Sequence, residues 1–477
     1  MLCLTDSIRQ DDSDLQQRLA AIEQAQSLTA LVVAAWALAQ RLSVQIIEFV
    51  LTQRAQSATA WPPCPQCGKP LHSKGLVPRE VATLVGMIRW RRRVGRCPEG
   101  CAIGQVAPFD EVLGLTPHQR TSMELQALGC AFAVFVPFAT AARFVSWCSG
   151  SPVSPWAVWQ WVQAAGGEAM KRLEVQLEAL ENGEEPEAEA MAPELTDLPL
   201  ALSGDGVMVP LRPHGGRPEG KTQWREVKVG VLARLKASCT RRGKPVTRLA
   251  QRRLVAVLGD IEAFKQRFWF EALRQGIRSA TTVVWLSDGS RGLWGLYQAY
   301  LSGYAQGILD FYHAAEHLWQ GASAWLDGRT KASRTWFGWA RHRLRHGHAD
   351  DVLGDLAEAL EIETLSEQAI ETLKKVRAYL EAHRDHMDYA AYKDLGLPLG
   401  SGLVESACKW LVQQRFKGVG MRWSEAGFNH LLHLRLAWVN GTFETLFEPA
   451  KADPEAVLKR LPQGGIPQLK DAPCLIP

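Results

Sequence analysis

Three acidic residues stand far apart in the 477-residue chain, each in a setting suited to metal chemistry. They are Asp205 in Leu-Ser-Gly-Asp-Gly, Asp288 in Trp-Leu-Ser-Asp-Gly, and Glu405 in Gly-Ser-Gly-Leu-Val-Glu-Ser. The first two end short apolar runs, and the third opens a basic helix. A hard divalent cation needs carboxylate oxygens converging from different elements. Two such cations can drive displacement at phosphorus. One Asp-Gly taken alone is a turn signal, so the reading rests on the three together. Glycine after each Asp (Gly206, Gly289) would let backbone and substrate approach closely.

A second set of residues points to a different metal. Cys64-Pro-Gln-Cys67 and Cys97-Pro-Glu-Gly-Cys101 are separated by strand-like residues that form a hairpin. Two such pairs supply four thiolates for one tetrahedral structural zinc. A single Cys-x-x-Cys could instead be redox-active. Arg89, Arg91, Arg92, Arg93 and Arg96 crowd the second arm and could touch phosphates.

The elements that must position these groups follow from pattern. Residues 1–60 are an N-terminal helical segment, with an apolar stripe through Leu31, Ala35, Leu38, Leu42 and Ile46. Its expected role is packing or dimer contact. Residues 61–110 form the zinc ribbon. Residues 111–180 are helical, and Phe138–Trp147 with Trp156–Val162 flank a Gly-Ser-Pro-Val-Ser turn as a helix-turn-helix-like, DNA-binding pair. An ordinary helical hairpin fits the same signal.

Residues 181–197 carry seven acidic residues and no Lys or Arg, and read as a linker. The segment could also mimic nucleic acid. Residues 198–310 become mixed α/β, with three sequential strands, a helix, a strand, a helix and a strand. Sequential strands can pair as a meander and later ones need crossovers, which gives a mixed sheet covered by helices. Residues 311–399 are helical. Residues 400–445 carry the Glu405 helix, and 446–477 are a tail.

Charge supports an anionic partner. The net charge is only +4, yet residues 212–253, 329–345 and 409–422 are rich in Lys and Arg. Candidate DNA contacts are Arg241, Arg242, Arg341, Arg343, Arg345, Lys409, Arg415, Lys417 and Arg422, with Trp423 for stacking on an unpaired base or, equally, for packing in a core. Asp310 and His313 are auxiliary candidates, Asp310 as a metal ligand in place of Asp288 and His313 for a phosphate or a leaving 3′ oxygen. No secretory signal is read at the N-terminus. The most apolar stretch, Leu28–Ala39, is too short to span a bilayer. The expectation is a cytoplasmic protein with reduced thiols.

From about Leu200 to Gly441 the chain resembles bacterial insertion-sequence transposases of the DDE type, most of all the Kra-type group and, more distantly, Mutator-like elements. The stretches that carry the resemblance are Gly204–Val209, Trp224–Gly230, Leu286–Gly289, Leu309–His313, Gly400–Ser406 and Gly420–Trp423. The resemblance implies a ribonuclease-H-like core interrupted by a helical insertion, and N-terminal zinc and helical DNA-binding segments. It also implies Asp205, Asp288 and Glu405 as the triad for two Mg²⁺ or Mn²⁺ ions, cleavage at element ends with 3′-OH strand transfer, and a homodimer or higher oligomer on double-stranded DNA. Two alternatives stay open: a nuclease of the same fold, and a catalytically silent zinc-containing DNA-binding protein.

Overall fold

The computed structural model describes residues 13–57, 59–213, 220–243 and 245–448. Most of the C-terminal tail and Lys244 of the basic turn lie outside them. Two compact units divide between Val162 and Gln163, with Phe443 onward counted with the first. The division falls inside one long helix, Pro155–Glu181.

In the first unit the expected single helical segment is two helices, Ser13–Glu23 and Leu28–Ala55. Ser27 separates them because its hydroxyl accepts the Ala30 N–H at 3.1 Å and starts the second helix. The stripe read from the sequence is only partly packed, with Leu38 and Leu42 half-buried. Leu31 and Ile46 are exposed, as are Leu28, Val32, Val33 and Trp36, whereas Val44 is buried. Ile47 and Leu51 pack on Val81, Ile88 and Trp90. The expectation about bilayer length also changes. The apolar stretch continues into one 28-residue helix, long and apolar enough by length and composition to cross a membrane.

Strands β1 (His72–Thr83) and β2 (Gly86–Arg96) form an antiparallel hairpin. Alternation along β2 sorts the arginines. Arg91 and Arg93 are exposed, while Arg92 is buried on Asp110 at 3.1 Å and donates to the Val77 and Pro78 carbonyls. Arg92 is therefore a structural ion pair and presents no surface to phosphates.

The helix-turn-helix-like pair is Phe138–Ser149 followed by the helix from Pro155. Gly150, at φ 67°, ends the first helix, and the Ser154 hydroxyl caps the second at Ala157. The second helix runs 27 residues, far past the Val162 expected from the sequence.

The second unit holds a five-stranded sheet: β3 (Leu200–Leu211), β4 (Gln223–Cys239), β5 (Pro245–Leu258), β6 (Val283–Ser287) and β7 (Gln306–Leu309), ordered β5-β4-β3-β6-β7. β3, β4 and β5 pair antiparallel, whereas β6 and β7 run parallel to β3. Five all-buried residues, Val-Val-Trp-Leu-Ser, make β6 a central strand. Trp285 meets Phe268 edge-on, and Phe268 fills the space a Cβ on Gly230 would need.

Helices Phe311–Leu326, Lys331–Arg345, Ala349–Leu360, Glu367–Ala382 and Tyr389–Asp394 follow β7. The chain then returns through Gly402–Phe416, whose middle, Cys408–Gln413, is a π-helical turn. The acidic segment is docked rather than free. Glu189 pairs with Arg253, receives Gln275 Nε2 at 2.9 Å, and bonds through its N–H to the Arg274 carbonyl, while Glu185 pairs with Arg278.

Trp285 is fully buried at the centre of this unit. Trp285→Ala is expected to cost about 3–5 kcal/mol of stability, measured by urea unfolding. A loss below about 1 kcal/mol would mean the sheet is not organised around this side chain.

Candidate functional sites

Parallel pairing sets the frame of the main site. Gly204 on β3 sits beside Ser287 on β6, and Ser287 sits beside Leu309 on β7. Neighbouring strands lie about 4.8 Å apart. The next residues along the three strands are Asp205, Asp288 and Asp310, so three carboxylates stand at one level on adjacent strands: Asp205 inside β3, which runs on to Leu211, and Asp288 and Asp310 just past the ends of β6 and β7.

Asp310 is fully buried and heavily used. Its Oδ1 accepts the N–H groups of Tyr312 (2.6 Å) and His313 (3.0 Å), capping helix Phe311–Leu326. Its Oδ2 accepts the Ser401 N–H at 2.5 Å and lies 3.5 Å from His313 Nδ1, a charge contact more than a formed hydrogen bond. The Ser401 bond fixes the loop that begins the Glu405 helix. Glu405 thereby reaches the rim, where donor atoms of Asp310, His313 and Glu405 all lie within 4.8 Å of one another.

The electrostatics report the same crowding. Burial raises the Asp205 carboxyl above its ordinary range, the Gly206 N–H partly offsets this, and the Asp288 charge raises it further. Burial also opposes ionisation of Asp310, but His313 and Ser401 outweigh it and hold this carboxyl down at about 2. His313 is pushed up to about 9, first by Asp310, against burial, and then by Asp288 and Glu405. Four acidic groups thus surround one imidazolium.

Their oxygens are not equally free. Asp310 is saturated. Asp288 Oδ1 accepts from Ser290 N–H (3.2 Å) and the Ser287 hydroxyl (3.4 Å), and Asp205 Oδ1 accepts the Gly206 N–H (2.6 Å). The Glu405 carboxylate makes no hydrogen bond or ion pair among the described residues. Asp205, Asp288 and Glu405 keep spare lone pairs that suit a hard cation, but the donor set that converges within 4.8 Å is Asp310, His313 and Glu405, and Asp205 and Asp288 stand outside it.

The glycines after the aspartates do not leave room for substrate, as the sequence reading expected. A Cβ on Gly206 would fall 1.8 Å from Glu226 Oε1, and one on Gly289 would fall 2.1 Å from Tyr379 Cε2. They make room for the protein's own side chains.

Two neighbours escaped the sequence reading. Cys408, buried one helical turn past Glu405, points its Sγ at Asp205 Oδ2 from 3.7 Å. The i, i+3 spacing from Glu405 was a usable signal. Tyr379 of helix Glu367–Ala382 accepts the Gly289 N–H at 3.4 Å, and burial followed by the Asp288 charge raises its phenol. Nothing in the local sequence announces Tyr379, because the contact spans 90 residues.

The basic candidates divide. Arg241 and Arg242 are exposed at the β4–β5 turn, and Arg341, Arg345, Lys409, Lys417 and Arg422 are exposed too. Arg343 stacks 3.4 Å from the Trp339 ring centroid and faces Asp355 at 3.6 Å. Arg415 is buried with its guanidinium over Trp423, so it offers no phosphate contact. Trp423 itself donates to the Phe416 carbonyl at 3.0 Å, packs on the Phe416 ring and pairs with the end of β3. These contacts occupy it as a packing residue.

In the first unit the sulfurs of Cys64, Cys67, Cys97 and Cys101 lie within 4.8 Å of one another. The Cys64 carbonyl accepts the Gly68 N–H at 2.8 Å, and Gly68 and Gly100 both take φ of 71° to close the two knuckles. Burial opposes ionisation of Cys97, but surrounding donors, led by the Cys101 N–H, bring it down to about 7. Cys101 is pushed up to about 12, first by its hydrogen bond to Cys97. One thiolate therefore forms readily, and a cation would draw out the others. Four converging thiols fit tetrahedral zinc.

No protein-family model matches the chain. A UPF0236 protein in the vanSb 3′ region of Streptococcus gallolyticus is 24% identical over 378 residues, covering 77% of this chain and 74% of its own length. The solved Drosophila P element transposase strand transfer complex covers 71% of this chain and 83% of its own at 10% identity, with a TM-score of 0.24. That superposition is too loose to bear on the fold.

Two outcomes are expected. Purified protein should carry one zinc per chain by atomic absorption, and Cys97→Ser should lose it; a zinc content unchanged in the variant would remove the site. The His313 imidazolium, raised from 6.5 to about 9, contributes stability that is full below pH 6.5 and lost as pH rises through about 9. Without added divalent cation, Tm should fall more steeply across that window in the wild type than in His313→Gln. Parallel curves would show that the pairing with Asp310 is not formed.

Proposed function

We propose that the second unit is the catalytic core of a DNA transposase, ribonuclease-H-like in fold and DDE-type in mechanism, of the Kra-type group. The observation that carries this reading is the set of three aspartates at one level on adjacent strands, Asp205 within β3 and Asp288 and Asp310 just past β6 and β7, with Glu405 brought near through Ser401 and Asp310. Three antiparallel strands continued by two parallel ones support the fold assignment.

Asp205, Asp288 and Glu405 would hold two magnesium or manganese ions, which when bound activate the attacking oxygen and stabilise the leaving one. Asp310 stays ionised and keeps His313 oriented and protonated. His313 can then donate to a phosphate oxygen or to a leaving 3′ oxygen. Tyr379 and Glu226, packed against the two glycines, hold the backbone that bears Asp288 and Asp205. The site needs no side-chain nucleophile, so one centre can cleave an element end and then join its 3′-OH to target DNA. The zinc ribbon and the paired helices of the first unit would bind DNA, and a homodimer in the cytoplasm would pair two ends.

The test uses double-stranded DNA carrying the element's terminal repeats. With magnesium, the wild type should nick the ends and join precleaved ends to target. Asp205→Asn should lower both by at least about a thousandfold while DNA binding in calcium persists. Cleavage without joining would replace transposase by nuclease. Wild-type behaviour in Asp205→Asn would leave a DNA-binding protein.

A further inference from the structure

Trp423 is unavailable for stacking, yet an aromatic ring does lie open at the rim. Tyr312 is 60% exposed, the second residue of the helix that Asp310 caps. An exposed aromatic is uncommon beside a buried carboxylate, and this one is held in place from below. Its N–H is fixed on Asp310 Oδ1 at 2.6 Å. Its ring rests on Gly400, where a Cβ would fall 2.6 Å from both Cδ2 and Cε2. Its inner side meets Phe311 edge-on, with centroids 5.6 Å apart. The contacts fix the orientation of the ring and leave much of its surface uncovered.

Two cations lie over the neighbouring Phe311 ring, on which the Tyr312 ring leans. Arg341 and Arg345, one turn apart on helix Lys331–Arg345, place their guanidiniums 5.7 and 5.6 Å from the centroid of Phe311. Both are exposed, and neither has an ion-pair partner among the described residues. Arg343 between them is already engaged by Trp339 and Asp355.

We propose that Tyr312, Arg341 and Arg345 form a nucleotide subsite that receives an unpaired base beside the scissile phosphate. The inference rests on the phosphoryl-transfer reading above and names which part of the DNA the rim takes. A fixed π-face with two open guanidiniums matches a base and its flanking phosphates. It matches an unpaired base because in duplex DNA the base faces are covered by their neighbours. Gly400, next to the loop of Glu405, is glycine so that the ring can lie there.

The experiment measures binding in calcium, so that cleavage plays no part. Two terminal-repeat duplexes are compared, one fully paired and one mispaired over three positions at the cleavage junction, with 2-aminopurine in the mispaired strand. The wild type should prefer the mispaired duplex about tenfold and quench the probe. Tyr312→Ala should abolish both effects, and Tyr312→Trp should keep them. Tyr312→Leu fills the space on Gly400 without a π-face and carries the test should the alanine variant not fold. Arg341→Gln and Arg345→Gln should weaken both duplexes alike and each lower the salt slope by about one. A wild type without preference, or a leucine variant that retains it, overturns the subsite. Cleavage by Asp205→Asn would instead defeat the underlying reading, so the two failures are separable.

Discussion

The candidate catalytic site depends on the carboxylate of Asp310. It is fully buried, and its two oxygens accept three backbone N–H groups and face one imidazole. Those partners belong to different parts of the chain: the start of helix Phe311–Leu326 and the loop that launches Glu405, 91 residues later. Removing the carboxylate would leave buried donors unpaired, at about 1–3 kcal/mol each. More important for function, Glu405 would lose the tie that brings it to the strands of Asp205 and Asp288. A helical insertion can separate the acidic residues in sequence because this bond restores their proximity in space.

Around that joint the protein spends stability on charge. Asp205, Asp288, Asp310 and Glu405 carry like charge; burial first, and the Asp288 charge after it, raises the Asp205 carboxyl, while Asp310 and then Asp288 and Glu405 hold the His313 imidazolium. A structure built only for stability would not collect them. The insertion supports the arrangement from outside, with Tyr379 against Gly289 and the basic helix Lys331–Arg345 beside Phe311. The zinc candidate solves a different problem. A short hairpin and two knuckles have little apolar core, so four thiols in one cluster give a metal the role of a core.

Much of this was legible beforehand. The strand ending at Asp288 could be read because a β-branched, apolar run stops at Ser-Asp-Gly, and the four cysteines because their spacing is local; at Asp205 the apolar run stops but β3 continues to Leu211, since pairing with β4 carries it on. Helix Phe311–Leu326 begins and ends where its pattern says. Misreadings occurred where identity is local but environment is not. Arg92 and Arg415 look like phosphate contacts in sequence, yet each is taken by a partner, and of the two roles open to Trp423, stacking on a base or packing, it fills the second. The stripe of helix Leu28–Ala55 is only partly covered, because periodicity shows an apolar face without showing what covers it.

The sequence by itself determined which groups can ionise, where strands and helices begin, and that two kinds of metal chemistry are in reach, because each depends on residue type and near neighbours. Tertiary structure alone decided which charges stay open. The register of Gly204, Ser287 and Leu309, the capture of Ser401 by Asp310, and the burial of Arg415 beneath Trp423 all join residues far apart in the chain. Coulomb and hydrogen-bond energies fall off within a few ångströms, so no order of residues specifies them until the fold has set the distances.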